Sequence, residues 1–336
     1  MNNKKIMLLF GGESSEHEVS LVSARNIYRA IDKQKYQIYL IFIDKSGVWW
    51  SLSEFDDYQN PIHEINLHPG TSDFSVNDGS VITPDVLFPV LHGKNGEDGS
   101  VQGLAQLLHL PIVGCDMTGS VIAMDKISTK EILAYRGFRV LPFLSHEKDG
   151  YLPSYSEATT QLGSALFIKP SRAGSSMGVT MVQNESDYKM AVGEALKHDD
   201  SILIEQAASK PRELEVAVLG LPPHHQASVV GEVRPEGDFY SYDSKYSDES
   251  SSEVIIPANV EISASEDIRQ QALDIYRTLR CRGMARVDFL LDDSGLYINE
   301  VNTIPGFTNI SMYPKLWEAS GLSYSNLIDK LIELAR

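Results

Sequence analysis

Cysteine is scarce in this 336-residue chain: Cys115 and Cys281 are the only two, and they lie far apart. Such a pair makes neither a dense disulfide framework nor a metal knuckle, which fits a reducing cytosol. No apolar run approaches the roughly 20 residues that a membrane helix requires, and the N-terminus leads directly into a strand pattern, unlike a signal peptide. The sequence therefore predicts a cytoplasmic protein without a membrane partner.

Positive charge is also in short supply, because 29 Lys and Arg against 46 Asp and Glu give a formal net charge of −17. A nucleic-acid backbone is bound by clustered Lys and Arg, so a nucleic-acid partner is excluded. A small anion such as a nucleotide needs only a local cationic pocket. The chain is otherwise ordinary for a globular protein, with 42% hydrophobic and 22% charged residues, and its length predicts two or three domains.

The first third of the chain alternates strand and helix patterns. Residues 15–18 resemble a capping box at the start of the first helix. The alternation predicts a doubly wound, parallel α/β domain over residues 1–120. The predicted strands are 6–10, 37–42 and 86–91, and the predicted helices are 19–31, 100–109 and 125–135.

The remainder of the chain predicts two further domains of mixed α and β structure. Residues 121–210 form a small central domain, and residues 211–336 form a larger one with long strands, one long helix and two C-terminal helices. Segment 237–253 is rich in Ser, Asp and Tyr and too polar for a core, which favours a lid or a disordered loop. The predicted central strands are 166–169, 179–182 and 202–206, and the later ones are 212–219, 227–233, 285–291 and 296–301.

The last two of these strands carry the most informative pattern. A three-residue loop at 293–295 would place Gly295 in the left-handed region. That register pairs Asp288 with Glu300 and Arg286 with Asn302, all on one face. Opposed carboxylates repel unless a positive charge lies between them, and two carboxylates with an amide oxygen suit Mg²⁺. A solvated hairpin face is the alternative, and the apolar character of both strands argues against it.

A Gly/Ser-rich loop over residues 169–178 lies between two predicted strands. Such a backbone can offer N–H groups to phosphates, and Lys169 at its base adds a cation, although no Walker A sequence occurs in the chain. Residues 174–178 also match the G-x-S-x-G pattern of serine hydrolases. That nucleophile elbow requires a strand-to-helix turn, whereas the following residues 179–182 are strand-like, so the hydrolase is the least favoured alternative.

Several single residues have positions that suggest a function. Glu205, Glu213 and Glu215 flank the junction of the middle and last sheets, where a carboxylate could accept a ribose hydroxyl. Lys126 lies near a helix start, where a cation opposes the helix dipole. His92 follows a strand at the edge where open α/β sheets bind ligands.

Together these segments resemble the ATP-grasp ligases and, within them, the D-alanine–D-alanine ligase family. The similarity covers essentially the whole chain. It implies a three-domain ATP-grasp fold with ATP between the central and C-terminal sheets. The implied reaction is ATP-dependent formation of D-alanyl-D-alanine for peptidoglycan precursor synthesis. The segments that carry it are 11–20, 91–93, 96–99, 124–126, 169–178, 239–246, 286–288 and 299–311.

The resemblance assigns the nucleotide and metal contacts residue by residue. It implies that Lys126 and Lys169 contact the phosphates of ATP, that Glu205 lies near the adenine, and that Glu213 binds the ribose. The metal ligands it implies are the same three residues as in the hairpin, for two Mg²⁺ or Mn²⁺ ions. The implied ATP-binding residues are Lys126, Lys169, Ser176, Glu205 and Glu213, and the metal ligands are Asp288, Glu300 and Asn302.

The resemblance also assigns the amino-acid contacts and a homodimer formed through the first domain. Glu16 fixes the ammonium of the first D-alanine, with His92 beside it. Arg286 and the backbone at Gly306 form the oxyanion site. The remaining contacts are Ser175 and Tyr246 to Glu16 on lid closure, and Ser311 and Lys245 to the carboxylate of the second D-alanine.

Two departures from the family pattern bear on specificity. Asn309-Ile310 replaces a common Ser-His pair, which alters a wall of the second pocket, and Ala207-Ala208 replaces bulkier adenine-flanking residues. The Lys245-Tyr246 pair favours an amine over D-lactate as the second substrate, whereas D-serine is the open alternative. A non-catalytic nucleotide binder would need gaps among the hairpin site residues, and the sequence has none.

Overall fold

The structure is a computed structural model that describes residues 3–234 and 253–336. These residues form three β-sheets covered by helices, which confirms the predicted combination of α/β and α+β architecture. The first sheet has the order β6-β5-β4-β3-β2-β1-β7, with β1 parallel to both neighbours. Its strands are β1 Lys4–Gly11, β2 Tyr36–Ile43, β3 Trp49–Leu52, β4 His63–Leu67, β5 Phe74–Val76, β6 Val81–Ile82 and β7 Val86–Val90.

The other two sheets pair antiparallel throughout. The second has the order β10-β9-β11-β8, and the third has the order β14-β13-β12-β15-β16. The second sheet contains β8 Phe143–Glu147, β9 Leu166–Pro170, β10 Thr180–Val182 and β11 Ser201–Gln206. The third contains β12 Arg212–Leu221, β13 His224–Arg234, β14 Glu253–Ile255, β15 Gly283–Asp292 and β16 Gly295–Asn302.

Nine α-helices surround the sheets in the part of the chain that is described. No helix of these residues combines the length and the apolarity needed to cross a bilayer. A short 3₁₀ helix, Phe55–Gln59, lies against the first sheet. The α-helices are α1 His17–Ala30, α2 Ser100–Leu107, α3 Met117–Met124, α4 Lys126–Tyr135, α5 Tyr155–Leu162, α6 Glu185–Ala195, α7 Ile262–Thr278, α8 Met312–Ala319 and α9 Tyr324–Leu334.

The first sheet is larger and less parallel than predicted. Only β2, β1 and β7 form the doubly wound parallel part, and four antiparallel strands over residues 49–82 extend it beyond β2. These strands are two to five residues long, too short to produce a visible alternation in the sequence. The predicted domain limit at residue 120 lies inside α3.

The start of α1 also differs from the prediction. The N-cap is Glu16, which makes no side-chain cap bond, so the predicted capping box is wrong. Instead, the Ser14 hydroxyl accepts the N–H of Glu16 at 3.1 Å and donates to the backbone oxygen of His92 at 2.6 Å. Ser14 therefore connects the loop after β1 with the loop after β7 rather than capping the helix.

Apolar packing joins the first sheet to the C-terminal part of the chain. Residues of β1 and α1 share one buried cluster with residues of β12, α8 and α9. A second cluster packs α3 and α4 residues against the third sheet and α7. The loop after β7 is also held near the end of the β15–β16 hairpin, because His92 lies 3.1 Å from the backbone oxygen of Ile304, two residues beyond β16.

Candidate active site

Glu16 and His92 occupy the carboxyl edge of the parallel strands. β1 ends at Gly11 and β7 ends at Val90, so the residues that follow lie where open α/β sheets bind ligands. Glu16 is 6% exposed and His92 is 4% exposed. Two polar side chains are thus buried at the edge of the sheet, and each needs a polar partner.

His92 connects the first domain to the segment that contains Gly306. Its Nδ1 lies 3.1 Å from the backbone oxygen of Ile304, and its Nε2 lies 3.2 Å from the Ser23 hydroxyl. A carbonyl only accepts, so Nδ1 carries the proton and Nε2 accepts from Ser23. Ser23 in turn accepts the N–H of Phe307 at 3.2 Å. Burial lowers the pKa of His92, although the charge of Glu16 opposes this, so the neutral ring holds this segment against α1.

Gly306 and Ser311 lie together in the turn before α8. A Cβ added at Gly306 would lie 2.6 Å from the Ser311 Oγ, so a larger residue would displace that hydroxyl. The Ser311 Oγ accepts the N–H of Thr308 at 2.9 Å and lies 2.8 Å from the Thr308 hydroxyl. The predicted oxyanion donor and the predicted carboxylate contact are therefore neighbours.

The Gly/Ser loop closes onto Glu16. The Ser175 hydroxyl donates a hydrogen bond to the Glu16 carboxylate. Ser175 and Ser176 have φ of 50° and 57°, in the left-handed region that non-glycine residues seldom adopt. A Cβ at Gly174 would lie 3.1 Å from the Glu16 Oε2. Because this loop runs into strand β10 rather than a helix, the rejection of the serine-hydrolase elbow is confirmed.

Glu97 is a site carboxylate that the sequence reasoning did not single out. It is 8% exposed, and a Cβ at Gly174 would lie 3.8 Å from its Oε2, so it flanks the same loop residue as Glu16. Burial, assisted by the charge of Glu16, raises the pKa of Glu97 well above its usual value. A Glu in the loop between β7 and α2 looks like an ordinary loop charge in a sequence, and only the tertiary structure buries it.

We expect Glu97→Gln to change how stability depends on pH. A carboxyl whose pKa is raised in the folded state does not destabilise the protein at pH values below its unfolded pKa of 4.5. As pH rises from there to the folded pKa, the free energy of unfolding falls by about 1.4 kcal/mol per pH unit. Gln lacks this loss. The Tm of the variant minus that of the wild type should therefore increase between pH 5 and pH 8 in thermal unfolding. An equal difference at both pH values would contradict this.

The β15–β16 hairpin has the predicted register near the site. Asp288 pairs with Glu300, and Arg286 pairs with Asn302. The predicted three-residue loop is wrong, because Asp292 pairs directly with Gly295 and leaves two residues in the turn. An irregularity between the pairs Phe289–Ile298 and Asp288–Glu300 accommodates one extra residue in β16. This bulge restores the register that the longer loop would have produced.

The three predicted metal ligands present oxygens on one face of this hairpin. Asp288 is 8% exposed, and the Glu300 side chain is 33% exposed. The Asn302 Oδ1 accepts the N–H of Ile304 at 3.1 Å, which fixes the amide with its oxygen on the strand side. In residues 3–234 and 253–336, no three or more His, Cys, Asp or Glu side chains are placed to hold a metal. Two carboxylates and an amide nevertheless form an oxygen donor set that fits Mg²⁺ when phosphates complete it.

Arg286 lies between two carboxylates on the same face of the third sheet. Its Nε and Nη2 donate to the two oxygens of Asp288 at 2.7 and 2.6 Å, and its Nε lies 3.0 Å from the Glu215 Oε2. Burial opposes the charge, but Asp288 and Glu215 raise the pKa of Arg286 well above its already high value. Glu215, which the sequence offered as a ribose acceptor, contacts the predicted oxyanion residue Arg286.

The predicted phosphate lysines come from two different elements of the central region. The Lys126 Nζ, at the start of α4, donates to the backbone oxygen of Ala173 at 2.7 Å and lies 4.0 Å from the Glu300 Oε2. The Lys169 Nζ, on β9, lies 2.6 Å from the Glu205 Oε2. Glu205 is fully buried, and its other oxygen lies 2.5 Å from the Nζ of Lys130. Lys130 was not predicted.

Of the remaining predicted residues, Glu213 and Ser176 lie in elements already given, whereas Lys245 and Tyr246 do not. Glu213 lies on β12 two positions before Glu215, which places both on the same face of the strand. Ser176 follows Ser175 in the Gly/Ser loop. Lys245, Tyr246 and nearly all of segment 237–253 lie outside the described residues, so the structure does not place the predicted lid contacts. Every other predicted site residue belongs to the loops, strands and helix described above.

Comparisons with known protein families match almost the whole chain. A family model described as D-ala D-ala ligase N-terminus matches residues 5–115, and one described as D-ala D-ala ligase C-terminus matches residues 132–333. D-alanine--D-alanine ligase A of Escherichia coli K12 is 44% identical over a 354-residue alignment that covers 100% of this chain and 96% of that protein. D-alanine--D-alanine ligase of Shouchella clausii is 45% identical, with coverage of 100% and 95%.

Solved structures of the same kind share the fold. The crystal structure of VanG D-Ala:D-Ser ligase from Enterococcus faecalis superposes with a TM-score of 0.90 and 35% identity, over 99% of both chains. The D-alanine-D-alanine ligase from Coxiella burnetii gives a TM-score of 0.86 and 36% identity, covering 99% of this chain and 95% of that one. The likeness extends over the complete arrangement of sheets.

Proposed function

The chain belongs to the D-alanine–D-alanine ligase family, and we propose that it joins two D-alanines to D-alanyl-D-alanine with conversion of ATP to ADP and phosphate. Both family models and full-length relatives with this name support the reaction. The structural observation that carries it is the β15–β16 hairpin, on which two opposed carboxylates, an amide oxygen and a buried arginine share one face. Its product would serve peptidoglycan precursor synthesis.

The proposed nucleotide site combines the cations with the acidic hairpin. Lys126 and Lys169 would contact the phosphates, and Ser176 of the Gly/Ser loop would also bind ATP. Glu213 would accept a ribose hydroxyl, and Glu205 would lie near the adenine behind Lys169. Asp288, Glu300 and Asn302 would hold two Mg²⁺ or Mn²⁺ ions. Bound there, the ions would neutralise phosphate charge, and their oxygen ligands match the preference of these hard cations.

The first proposed step makes a carboxylate reactive. The carboxylate of the first D-alanine attacks the γ-phosphorus of ATP, the bond to the β–γ bridging oxygen breaks, and an acyl phosphate and ADP result. This chain contributes positioning and charge, because phosphoryl transfer requires little covalent chemistry from the protein. Glu16 would bind the ammonium of this D-alanine, and Ser175 holds the Glu16 carboxylate in place. His92 would act indirectly, because its hydrogen bonds to Ile304 and Ser23 hold the segment before Gly306 in place beside this D-alanine.

The second proposed step forms the peptide bond. The free amine of the second D-alanine attacks the acyl carbon and gives a tetrahedral oxyanion. Collapse of this intermediate breaks the bond to the phosphate oxygen, and the departing phosphate takes up the proton that the amine loses. Arg286 and the N–H of Gly306 would stabilise the oxyanion. Ser311, next to Gly306, would bind the carboxylate of the incoming D-alanine together with Lys245. Water would hydrolyse the acyl phosphate, so a lid over segment 237–253 that includes Tyr246 would protect it.

We also propose that the protein is cytoplasmic and forms a homodimer through its first domain. The substrates ATP and D-alanine are small molecules that a cytosolic enzyme would meet. The two cysteines are free and buried, which suits a reducing compartment. Exposed Leu107 of α2, in this domain, lies next to exposed Met117 and Val121 of α3, at the boundary of the domain. Together they offer an apolar surface for the contact.

Phosphate release tests the reaction. Protein with ATP and Mg²⁺ is supplied with each D- or L-amino acid alone, and we expect release with D-alanine but not with L-alanine or without Mg²⁺. With D-alanine and D-lactate together, thin-layer separation should show negligible depsipeptide at neutral pH. Release that depends on a different amino acid would assign another ATP-grasp reaction. Nucleotide binding without any release would assign a non-catalytic role, and labelling by a fluorophosphonate would reinstate the serine hydrolase.

A further inference from the structure

A buried lysine of α4 has no role in the site described so far. The Lys130 side chain is 1% exposed, and a lysine is almost never buried to this extent unless it is paired. It follows Lys126 by one turn of α4, so both ammonium groups project from the same face of the helix. Lys126 reaches the Gly/Ser loop, whereas Lys130 points deeper, toward β11.

Lys130, Glu205 and Lys169 form a buried triad of charges. The two Glu205 oxygens are divided between the lysines, at 2.5 Å from the Lys130 Nζ and 2.6 Å from the Lys169 Nζ. Burial opposes ionisation of Glu205, but the charges of Lys130 and Lys169 hold its pKa below the usual value. Burial lowers the pKa of Lys130, and the charge of Glu205 opposes that shift. The carboxylate is therefore ionised and shared.

The charge balance of the triad determines what Lys169 can offer to a ligand. Two ammonium groups and one carboxylate leave a net charge of +1. Lys130 is enclosed, whereas 14% of the Lys169 side chain is exposed, so the surplus charge can act only on the side of Lys169. Without Lys130, Glu205 would compensate Lys169 alone, and the low-dielectric surroundings would strengthen that neutralisation.

We propose that Lys130 is a positioning residue for the ATP phosphates: by binding one oxygen of Glu205, it leaves the charge of Lys169 available to the nucleotide. The proposal rests on the proposed function of Lys169 as a phosphate ligand. Lys130 touches neither substrate nor metal, and it acts through Glu205. The charge of Lys169 affects binding of the β- and γ-phosphates and not of the nucleoside. Loss of Lys130 should therefore weaken ATP more than AMP, whereas a general loss of structure would weaken both equally.

The test compares the dissociation constants of ATP and AMP, both with Mg²⁺, by calorimetry. Their ratio isolates the binding of the terminal phosphates, because contacts to adenine and ribose cancel. We expect Lys130→Met to reduce the ATP preference about ten-fold, a difference of about 1.4 kcal/mol. Lys148→Met is the matched control, since Lys148 pairs with Asp200 on the surface of the same sheet, and it should leave the ratio unchanged. Equal weakening of both nucleotides in Lys130→Met would overturn the proposal.

A second pair of variants keeps the test valid if Lys130→Met does not fold. Glu205→Gln removes the carboxylate and should raise the ATP preference above that of the wild type. Adding Lys130→Met to Glu205→Gln restores the net charge to +1, so the preference should return to within about three-fold of the wild type. Identical ratios in the single and double variants would refute the proposal. Because these are binding measurements, they remain valid even if the wild type binds Mg-ATP and releases no phosphate with D-alanine.

Discussion

Lys169→Ala should abolish turnover while leaving the protein folded. A cation that stabilises the transferring phosphoryl group contributes about 10³-fold or more to the rate, so we expect kcat/KM for ATP to fall by at least about 10³. Folding should survive because Glu205 retains Lys130 at 2.5 Å. Its charge is therefore not left unpaired, and the loss of stability should stay near the 1–2 kcal/mol of an ordinary substitution. Phosphate release and thermal unfolding measure the two effects.

The control for Lys169→Ala removes a surface cation of the same sheet. Lys148→Ala breaks an exposed ion pair with Asp200, which contributes roughly 0–1 kcal/mol, and its turnover should equal that of the wild type. Wild-type turnover in Lys169→Ala would remove Lys169 from the phosphate site. Loss of cooperative unfolding in that variant would instead assign Lys169 a structural role.

The site residues that the sequence could predict are those whose spacing carries information within one element. Strand alternation places Arg286 and Asp288 on one face of β15, and Glu300 and Asn302 on one face of β16. The structure confirms the predicted cross-strand pairs, Asp288 with Glu300 and Arg286 with Asn302. The turn itself was predicted one residue too long, and the bulge in β16 offsets this error. Alternation determines only which residues of a strand share a face. The pairing between the strands was predicted from the length of the turn, and it is correct near the site because the bulge offsets the error in that length.

Buried charges could not be predicted in the same way. Lys130 on α4 looks like a solvated helix position, and Glu97 like a loop charge, since long-range burial leaves no local pattern. Both are buried because residues distant in the sequence supply their surroundings: Glu205 for Lys130, and Glu16 with the Gly/Ser loop for Glu97. The family resemblance predicts the groups that contact the substrates, and the tertiary structure adds the buried charges that lie next to them.

Arg286 is the second residue whose replacement should have a large effect. It neutralises Glu215 and Asp288, which are directly opposed on β12 and β15, with Glu300 next in the same row. Arg286→Met would remove the guanidinium that lies against both Glu215 and Asp288. We expect a loss of about 3–5 kcal/mol, as is typical when one partner of a buried ion pair is removed, together with loss of turnover. Thermal unfolding and phosphate release measure the two losses.

The pH dependence of Arg286→Met separates charge repulsion from lost packing. Without the arginine, the carboxylates of Glu215 and Asp288, which are paired across β12 and β15, would repel each other once both are ionised, so the loss of stability should increase as pH rises and the carboxyls lose their protons. The Tm deficit should therefore be smaller at pH 5 than at pH 8, and a deficit equal at both would indicate packing alone. Arg286→Met with Glu215→Gln removes one of the repelling charges and should recover part of the stability without recovering turnover. Recovery of turnover in this double variant would show that Arg286 organises the carboxylates and does not itself stabilise the oxyanion.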